Sequence, residues 1–497
     1  PLEPAPAPAT EGWWGPAATQ TLINNVAAAG FNTIRIPVAW DTHANQSTLQ
    51  IDPTWMARVK QVVDWCYAKN LYVIVNCHWD GGWLDNNIGD TPNPTVTQKM
   101  NAYWTQIANT FQGYDNHLLF AGANEPPADT AAQVATLMNY YQTFINAVRA
   151  TGGTNATRWL VIQGPHTNID QSYDMVNTLP TDSTPGRLMF EIHHYPFQWT
   201  IMTQDETWGK MFYFWGAAYH SPTMLDRNST WGEEAYTDDQ FGKMATKFVN
   251  NGVPVIIGEW GAVRRTGYAD LTGTELQRHL ASRTYFSKYV TEKANALGLK
   301  PIWWDAGSTG SNTMWLFDRN QASAPMFDPD NINALTGGAA LPPPATASVL
   351  QQNLTGGGTK GEAKGGATLS QSFVNPGTGT YQVTKLTLHV SRKPSAPNAN
   401  LVVYLGTAHG GGTIAGTTVN ITPSTVTNTS GGSSWQTLDV VFTSPVTLNK
   451  GTTYYLNLNS TTSTNKPYYI DVGASNSYSG GTYSGGARDM WFQVWGQ

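Results

Sequence analysis

The chain has 497 residues, a net charge of −6 and 12% charged residues, about half of the roughly 25% that is usual in soluble proteins. Aromatic residues are equally frequent, with 20 Trp, 22 Tyr and 16 Phe. The mean hydropathy of −0.33 and the lack of an apolar run near 18 residues exclude a transmembrane helix. An acidic balance without long basic runs argues against a nucleic-acid partner. The composition favours neutral, polar ligands, and sugars are the main class of these.

The chain begins with a Pro/Ala-rich segment (1–10), for which we predict no regular element. From residue 19 onwards, short apolar runs alternate with helical segments. Nearly continuous apolar character is expected for parallel strands that are buried on both faces. The predicted strands lie at 31–38, 71–78, 117–125, 158–165, 187–195, 254–260 and 301–307.

Helix signals separate these strands. Asp52 and Pro53 offer an N-cap and a first helical residue, while Gly30 and Gly298 follow helical segments. Repeated βα units of this kind predict an α/β fold, a (β/α)8 TIM barrel, which we assign to residues 1–336. A doubly wound sheet is the alternative, but the Gly-rich turn expected after its first strand is missing. Only seven of the eight barrel strands can be found, with no candidate before Gly12.

The composition changes near residue 337. Residues 337–366 are rich in Gly, Pro and Ala, which predicts a linker. Residues 367–497 are rich in Thr, Ser, Gly and Tyr and contain short alternating runs, which predict a smaller all-β sandwich. These runs lie at 381–390, 400–406, 435–444, 452–459 and 490–496.

Polar and aromatic side chains stand where the predicted barrel strands end, and this end of a parallel barrel carries the functional residues. Glu125 and Glu259 are carboxylates that a buried strand should not carry unless they are paired or functional. Two carboxylates at one mouth suit glycoside hydrolysis, with one as the acid and the other as nucleophile or base. The alternative is that each forms a structural ion pair with Arg35 or a lysine. The full candidate set is Arg35, His78, Asn124, Glu125, His193, Tyr195, Glu259, Trp304 and Asp305.

Six short motifs occur in order along the barrel region: RIPV (35–38), NCH (76–78), ANEP (123–126), HHY (193–195), IGEWG (257–261) and WWDAG (303–307). Together they resemble glycoside hydrolase family 5, a (β/α)8 family of the retaining clan. The resemblance covers roughly residues 11–336. Its most specific pieces are Asn-Glu-Pro and Gly-Glu, which are weak alone and strong in this order.

The resemblance implies a role for each matched residue. Glu125 would be the general acid/base and Glu259 the nucleophile. Arg35 would pair with Glu259 and hold it ionised, since a nearby cation lowers the pKa of a carboxylate. Asn124 would bind the sugar 2-hydroxyl, and Tyr195 would donate a hydrogen bond near the nucleophile. The reacting-sugar subsite would be lined by His78 and His193, with Trp304 as its stacking floor.

The segment 78–84 departs from the family pattern, because Trp79 stands where many relatives carry a second histidine. We count Trp83 as a substrate-binding candidate, with loop packing as the alternative, and Asp305 as another. Trp208, Trp215 and Trp231 occupy a long insertion between the fifth and sixth candidate strands, where they either wall the cleft or pack in the core.

Other chemistries have weaker signals. Neighbouring residues of a strand point to opposite faces, so His193 and His194 rarely bind one metal ion. Cys77 lacks a positioned base of the usual kind for thiol catalysis. Cys66 and Cys77 are expected as two buried free thiols, because a helix and the far end of a strand hold them beyond disulfide reach. We predict no metal and no cofactor.

The C-terminal region carries six Lys/Arg and three Asp in residues 367–497, and it is rich in Tyr and Trp. A β-sandwich joined by a linker to a polysaccharide hydrolase resembles a carbohydrate-binding module, which raises the local enzyme concentration at the polymer. The alternative is a stabilising sandwich whose aromatic residues belong largely to its core.

The resemblance implies a retaining endo-β-1,4-glucanase that acts on cellulose or mixed-linkage β-glucan. A β-mannanase or xyloglucanase of the same family is the first alternative, and a non-catalytic carbohydrate-binding protein is the second. We expect a β-glucan polysaccharide as the partner, no nucleic acid and no membrane. We further expect a secreted, extracellular monomer.

Overall fold

The computed structural model describes residues 11, 15–305, 311–341, 348–356, 359–428 and 434–496. The chain divides into two compact units, residues 1–344 and 345–497. The Pro/Ala-rich segment 1–10 and the end of the predicted strand 301–307 lie outside the described residues. Within the described ranges, no helix is both long enough and apolar enough to cross a membrane.

The first unit contains a parallel sheet of seven strands that pair in chain order. The prediction of seven parallel strands is confirmed, although the last of them is half-buried rather than buried. No eighth strand occurs in the part of the barrel region that the structure describes. The strands are β1 (Thr33–Ile36), β2 (Tyr72–Asn76), β3 (Leu118–Ala121), β4 (Leu160–Gln163), β5 (Leu188–His194), β6 (Val255–Trp260) and β7 (Lys300–Trp303).

Helices alternate with these strands. The side chain of Asp52 accepts a hydrogen bond from the Thr54 amide and Pro53 is the first helical residue, as the sequence predicts. Gly30 and Gly298, with φ of 96° and 82°, follow two helix ends. The helices are α1 (Gln20–Ala28), α2 (Pro53–Tyr67), α3 (Pro94–Thr110), α4 (Ala131–Ala150), α5 (Ile169–Met175), α6 (Phe197–Thr200), α7 (Glu234–Lys247), α8 (Gly273–Ala296) and α9 (Pro329–Leu335).

The interior of the sheet has an apolar layer below a polar layer. The apolar layer is built from inward residues of the strands, namely Ile74, Leu119, Ala121, Val161 and Ile256. Nearer the carboxyl ends, the inward positions of four strands, β1, β2, β4 and β5, are polar. Asn76, Gln163 and Glu191 are fully buried there, and Arg35 of β1 is 8% exposed. The polar layer lies directly beneath the strand ends and supports the site.

Side chains of β1 contact side chains of β5 and β6 across the interior. The sheet is therefore curved into a nearly closed barrel. A cavity of about 590 Å³ lies between β1 and β7, the two outer strands of the seven. Its lining includes Phe31, Ile34, Ile302, Leu316 and Phe317. This cavity occupies the position between the first and last strands, where an eight-stranded barrel closes.

The second unit is an antiparallel β-sandwich around one apolar core. One sheet has the order β10-β16-β12-β13 with β14 beside β12, and the other has the order β8-β18-β11-β17-β9 with β15 beside β11. The strands are β8 (Ser348–Asn353), β9 (Thr359–Ala363), β10 (Thr368–Val374), β11 (Thr380–Arg392), β12 (Leu401–Ala408), β13 (Gly411–Thr413), β14 (Val419–Ile421), β15 (Gln436–Asn449), β16 (Thr453–Asn459), β17 (Tyr468–Val472) and β18 (Phe492–Gly496).

The predicted linker over 337–366 is corrected by the structure at both ends. Leu341 belongs to the first unit, where its amide bonds the Thr284 hydroxyl and its carbonyl accepts from Tyr219. β8 and β9 are strands of the sandwich. A glycine in β9 has a packing reason, since a Cβ at Gly361 would lie 2.6 Å from the Tyr483 hydroxyl oxygen. Such glycines make a strand resemble a linker in sequence.

Both cysteines are buried free thiols, which confirms that prediction. Burial raises the pKa of Cys66 to about 12. Burial and the nearby Asp80 carboxylate raise the pKa of Cys77 well above its usual value. Both therefore stay protonated at neutral pH, which argues against thiolate chemistry.

Candidate active site

A β-bulge in β6 determines where Glu259 points. After Ile257, the next residue of β6 that pairs with β5 is Glu259, opposite His193, so Gly258 is an extra residue on β6. Ile256 lies in the interior layer and Ile257 packs towards the helices. Regular alternation would therefore turn Glu259 towards the helices as well. The extra residue re-aims this carboxylate into the barrel mouth, a known use of bulges near active sites.

Arg35 connects the polar layer to the mouth. Its Nη1 lies 2.9 Å from Oε1 of Glu259, and its Nη2 donates to Oδ1 of Asn124 at 2.7 Å. Its Nε lies 3.0 Å from Oε1 of Glu191, which is fully buried. The expected pairing of Arg35 with Glu259 is present, but Arg35 also pairs with a second carboxylate that the sequence analysis missed.

Glu191 could have been found from its position. It lies two residues before His193 on the same strand, and residues two apart share a face, so both point into the barrel. Gln163 donates to its Oε2 at 2.5 Å. A Cβ at Gly258 would lie 1.7 Å from Oε1 of Glu191, so the glycine of the bulge also leaves space for this carboxylate.

His193 joins the two mouth glutamates. Its Nδ1 lies 2.6 Å from Oε1 of Glu125 and 3.8 Å from Oε2 of Glu259, and its Nε2 lies 3.4 Å from Glu191. His194 points the other way, with Nε2 3.2 Å from the Thr237 hydroxyl of α7. The two histidines therefore lie on opposite faces of β5, as the strand geometry predicts.

Charges within this cluster shift each other's pKa values. Burial lowers the pKa of His193, but the surrounding carboxylates outweigh burial and raise it to about 9. Burial, with the nearby Glu125 and Glu191, raises the pKa of Glu259 above its usual value. His193 and Arg35 lower it, as expected of Arg35, but they do not outweigh burial. Burial also raises the pKa of Glu125, but the hydrogen bond and charge of His193 bring it below its usual value. The cluster therefore titrates as a unit, with His193 carrying a proton at neutral pH.

An aromatic platform faces the cluster from the opposite strands. The rings of Trp304, after β7, and His78, after β2, are parallel within 8° with centroids 5.8 Å apart. Burial and the charges of Arg35 and His193 lower the pKa of His78 well below its usual value, so it stays neutral. The Tyr195 hydroxyl donates to Oε2 of Glu259 at 3.4 Å.

Two substrate-binding predictions are corrected. Trp83 is only 8% exposed, and its indole N–H donates to Oδ2 of Asp80 at 3.1 Å, which places it in the loop core. Trp79 is the exposed indole of this segment, at 39%. Asp305 holds a loop, because its Oδ2 accepts from the Leu316 amide at 3.3 Å and its Oδ1 lies 3.3 Å from Arg319.

Glu125, His193 and Glu259 are also the one group of three potential metal ligands found in the described parts of the chain, with their ligand atoms within 4.8 Å of one another. Arg35 already lies 2.9 Å from Glu259. A guanidinium at this distance repels a second cation, so the geometry fits a proton-sharing cluster better than a metal centre.

The sequence of the first unit matches a known protein family. The family model for cellulases of glycosyl hydrolase family 5 matches residues 3–310. The chain therefore belongs to glycoside hydrolase family 5.

Two curated relatives are similar over the same region. A xyloglucan-specific endo-β-1,4-glucanase of Bacteroides ovatus is 37% identical over 62% of this chain and 60% of its own length. Endoglucanase A of Paenibacillus barcinonensis is 33% identical over 62% of this chain and 78% of its own length. The chain thus spans less than two thirds of the Bacteroides relative.

Solved structures are similar as well. A family 5 xyloglucan-specific β-1,4-glucanase from a ruminal metagenomic library, in complex with XXLG, is 38% identical over 66% of this chain and 90% of its own, with a TM-score of 0.58. A family 5 xyloglucanase from Paenibacillus pabuli is 33% identical over 67% and 94%, with a TM-score of 0.60.

Proposed function

We propose that this protein is a retaining endo-β-1,4-glucanase, with Glu259 as nucleophile and Glu125 as acid/base. The observation that carries the proposal is the separation of the two carboxylates, since an oxygen of Glu125 lies within 4.8 Å of one of Glu259. Retaining glycosidases hold these groups about 5 to 5.5 Å apart, whereas inverting ones need about 6.5 to 9.5 Å to admit a water.

In the first step, Glu259 attacks the anomeric carbon and Glu125 protonates the departing oxygen. Arg35 and Tyr195 orient Glu259, and Arg35 favours its charged form. The proton for the leaving group is held by the His193–Glu125 hydrogen bond of 2.6 Å. As Glu259 loses its charge on forming the ester, it no longer raises the pKa of His193, so the proton passes to Glu125 and on to the leaving oxygen.

In the second step, the deprotonated Glu125 takes a proton from water, which attacks the anomeric carbon and releases Glu259. His193, now neutral, accepts the proton from Glu125 and the starting state returns. Both displacements invert the carbon, so the product keeps the configuration of the substrate. Asn124, held by Arg35, is placed to bind the 2-hydroxyl of the reacting sugar.

For the substrate, we propose the β-1,4-glucan backbone that cellulose, mixed-linkage glucan and xyloglucan share. Xyloglucan is a specific second candidate within this class. Two of the similar proteins named above, at 37% and 38% identity, carry xyloglucan specificity in their names. A β-mannanase has no such support among these relatives.

The test is hydrolysis of carboxymethylcellulose, barley β-glucan, xyloglucan and mannan, with product configuration followed by NMR. We expect cleavage of one or more glucans, little of mannan, and β-configured first products. If none of the four polymers is hydrolysed, the proposal that this protein is an enzyme of this class is wrong. If the first products have the α-configuration, the retaining mechanism is wrong.

A pH profile tests the shared proton. Because the pKa of His193 is raised to about 9, the imidazolium is present below that pH and lost above it. We expect kcat/KM, which reports the free enzyme, to fall as pH rises through about 9. In His193→Ala the proton resides on Glu125 alone, and the alkaline limb should move to lower pH, since a carboxylic acid titrates below an imidazolium whose pKa is raised to about 9. His117→Ala serves as control, because His117 is a half-buried histidine that precedes β3, whereas Glu125 follows the other end of that strand. An unmoved limb in His193→Ala contradicts the shared-proton mechanism.

For the sandwich, we propose binding to the polysaccharide. Trp491 and Trp495 lie half-exposed on the outer face of the six-stranded sheet, where Trp491 stacks on His389 with centroids 3.6 Å apart. Six tyrosines of this region are buried instead: Tyr381, Tyr404, Tyr454, Tyr468, Tyr469 and Tyr483. A chain ending at residue 344 should bind insoluble cellulose more weakly and keep its turnover of soluble glucan; equal binding favours a stabilising role. Secretion and a monomeric state stay predictions.

A further inference from the structure

Three exposed aromatic side chains lie on the insertion between β5 and β6, outside the cluster described above. Phe197, Trp208 and Trp231 are 43%, 62% and 41% exposed, whereas Trp215 of the same insertion is fully buried. The ring centroids of Phe197 and Trp208 lie 5.9 Å apart, and the Trp231 indole N–H donates to the side-chain oxygen of Gln198. Contiguous exposed apolar surface of this kind marks binding sites on soluble proteins.

This aromatic surface borders the barrel mouth. Phe197 follows Tyr195 by two residues, and the Tyr195 hydroxyl bonds Glu259. The short helix α6 is also joined to the segment after β6, since the Val263 amide donates to the Thr200 carbonyl at 2.9 Å. The surface therefore adjoins the end of β5, which Tyr195 follows, and the end of β6, which carries Glu259.

The backbone beneath the aromatic surface is fixed by a buried arginine. Arg265 is fully buried, and its guanidinium donates to the carbonyls of Trp199 at 3.0 Å, Met202 at 2.6 Å and Phe212 at 3.0 Å. A backbone held by several hydrogen bonds loses little conformational entropy when a ligand binds. The aromatic surface is thus preformed.

Charged side chains near the aromatic surface neutralise each other. Lys210 lies 2.5 Å from Asp226, and Arg227 lies 2.5 Å from Asp205. Because these charges are paired with each other, the surface has no free charge to attract a charged ligand. Its aromatic rings suit an uncharged ligand with C–H groups on its faces and hydroxyl groups at its edges, as a sugar ring has.

The order of strands around the barrel indicates which sugars reach this surface. Glu125 follows β3 and Glu259 lies on β6, so the line between them divides the mouth. Trp304 and His78, at the ends of β7 and β2, lie on one side. A glucan that stacks its reacting sugar on Trp304 and passes between the glutamates continues over the ends of β4 and β5, where the insertion begins.

We propose that Phe197, Trp208 and Trp231 form a binding subsite for β-linked sugar units on the leaving-group side of the scissile bond. The proposal rests on the proposed function, because it takes the assignment of Glu259 and Trp304 to the reacting sugar. A substrate contacts this subsite only when its leaving group is a sugar chain, so the subsite favours polymers over substrates with other leaving groups.

The test compares Trp208→Ala and Trp231→Ala with the wild-type full chain on two substrates. One is a glucan polymer that the wild type cleaves, and the other is an aryl β-cellobioside, whose leaving group is a single aromatic ring. We expect kcat/KM for the polymer to fall roughly five- to twenty-fold per substitution, from the loss of one stacking contact, and to change less than about two-fold for the aryl substrate. Trp208→Phe should retain most of the polymer activity.

Tyr173→Ala is the matched control, since Tyr173 is an aromatic residue of α5 with a similar exposure of 39%. Unchanged polymer hydrolysis in both tryptophan variants overturns the subsite, and an equal fall on both substrates overturns its leaving-group side. In either case the proposed function stands if Glu259→Ala is inactive, because that variant tests the nucleophile and not the aromatic surface. A wild type that cleaves neither substrate removes the proposed function itself.

Discussion

Replacing Glu259 by alanine should lower kcat for a glucan by about 10⁴-fold or more, because the covalent step loses its nucleophile. The carboxylate is 6% exposed and bonded to Arg35, so no neighbouring group can take its place on that face of the sugar. With an activated aryl β-cellobioside, added azide should restore turnover by entering the vacated space. Attack from the nucleophile's face gives an α-glycosyl azide.

Glu125→Ala distinguishes the two roles. The glycosyl-enzyme still forms from the aryl substrate, whose leaving group needs no acid, and azide then attacks the opposite face to give a β-glycosyl azide. The loss on a natural glucan should be about 10²- to 10⁴-fold, the usual contribution of a general acid. The α-azide from Glu125→Ala together with the β-azide from Glu259→Ala would reverse the assignment.

Glu191→Gln should destabilise the first unit by about 3 kcal/mol, because removing one partner of a buried ion pair leaves the other charge poorly compensated. Arg35 and Glu191 have side chains that are 2% and 0% exposed, and their atoms lie 3.0 Å apart. The midpoint of urea unfolding measures the effect. Glu292→Gln, which breaks an exposed pair with Lys288, is the matched control and should cost less than about 0.5 kcal/mol.

The same substitution should change how stability depends on pH. Burial raises the pKa of Glu191, but Arg35, His193 and Gln163 outweigh burial, so its folded-state pKa is below the usual 4.5. A lowered pKa contributes stability that is present above the unfolded value and lost as pH falls through the folded one. Glu191→Gln should therefore lose less stability in acid than the wild type, and an equal loss would show that this carboxylate is not the titrating group.

The carboxyl ends of the barrel strands could be predicted from the sequence, because two separate patterns indicate where each strand ends. Apolar runs between helix signals mark the buried parallel strands, and polar residues just after such runs mark the mouth. This reasoning places Arg35, Glu125, His193 and Glu259 in one site, and in the structure each of them lies within 4 Å of another member of the set.

Other features depend on contacts between distant segments, which periodicity does not contain. The position of Glu191, two residues before His193, indicates that it faces the interior, but its ion pair with Arg35 of β1 joins two distant strands. Trp83 and Asp305 follow the same pattern as true mouth residues, yet Asp80 and Arg319 hold them in loop structure. In the sandwich, β9 resembles a linker because it contains Gly361, where a Cβ would lie 2.6 Å from the hydroxyl oxygen of Tyr483, a residue far along the chain.

The extra residue at position 258 makes catalysis depend on chain length within a single strand. Removing Gly258 would allow β5 and β6 to pair without interruption, so the sheet itself would gain regular hydrogen bonds. Glu259 would then follow Ile257 directly, and the alternation of the strand would keep its carboxylate in the barrel interior. Its Cβ would take the place where a Cβ at position 258 lies 1.7 Å from Oε1 of Glu191, so the two carboxylates would compete for one space. A deletion that makes the sheet more regular would thus displace the nucleophile from its position beside Arg35, whereas a conservative exchange of residues of similar size elsewhere in β6 would leave that position unchanged.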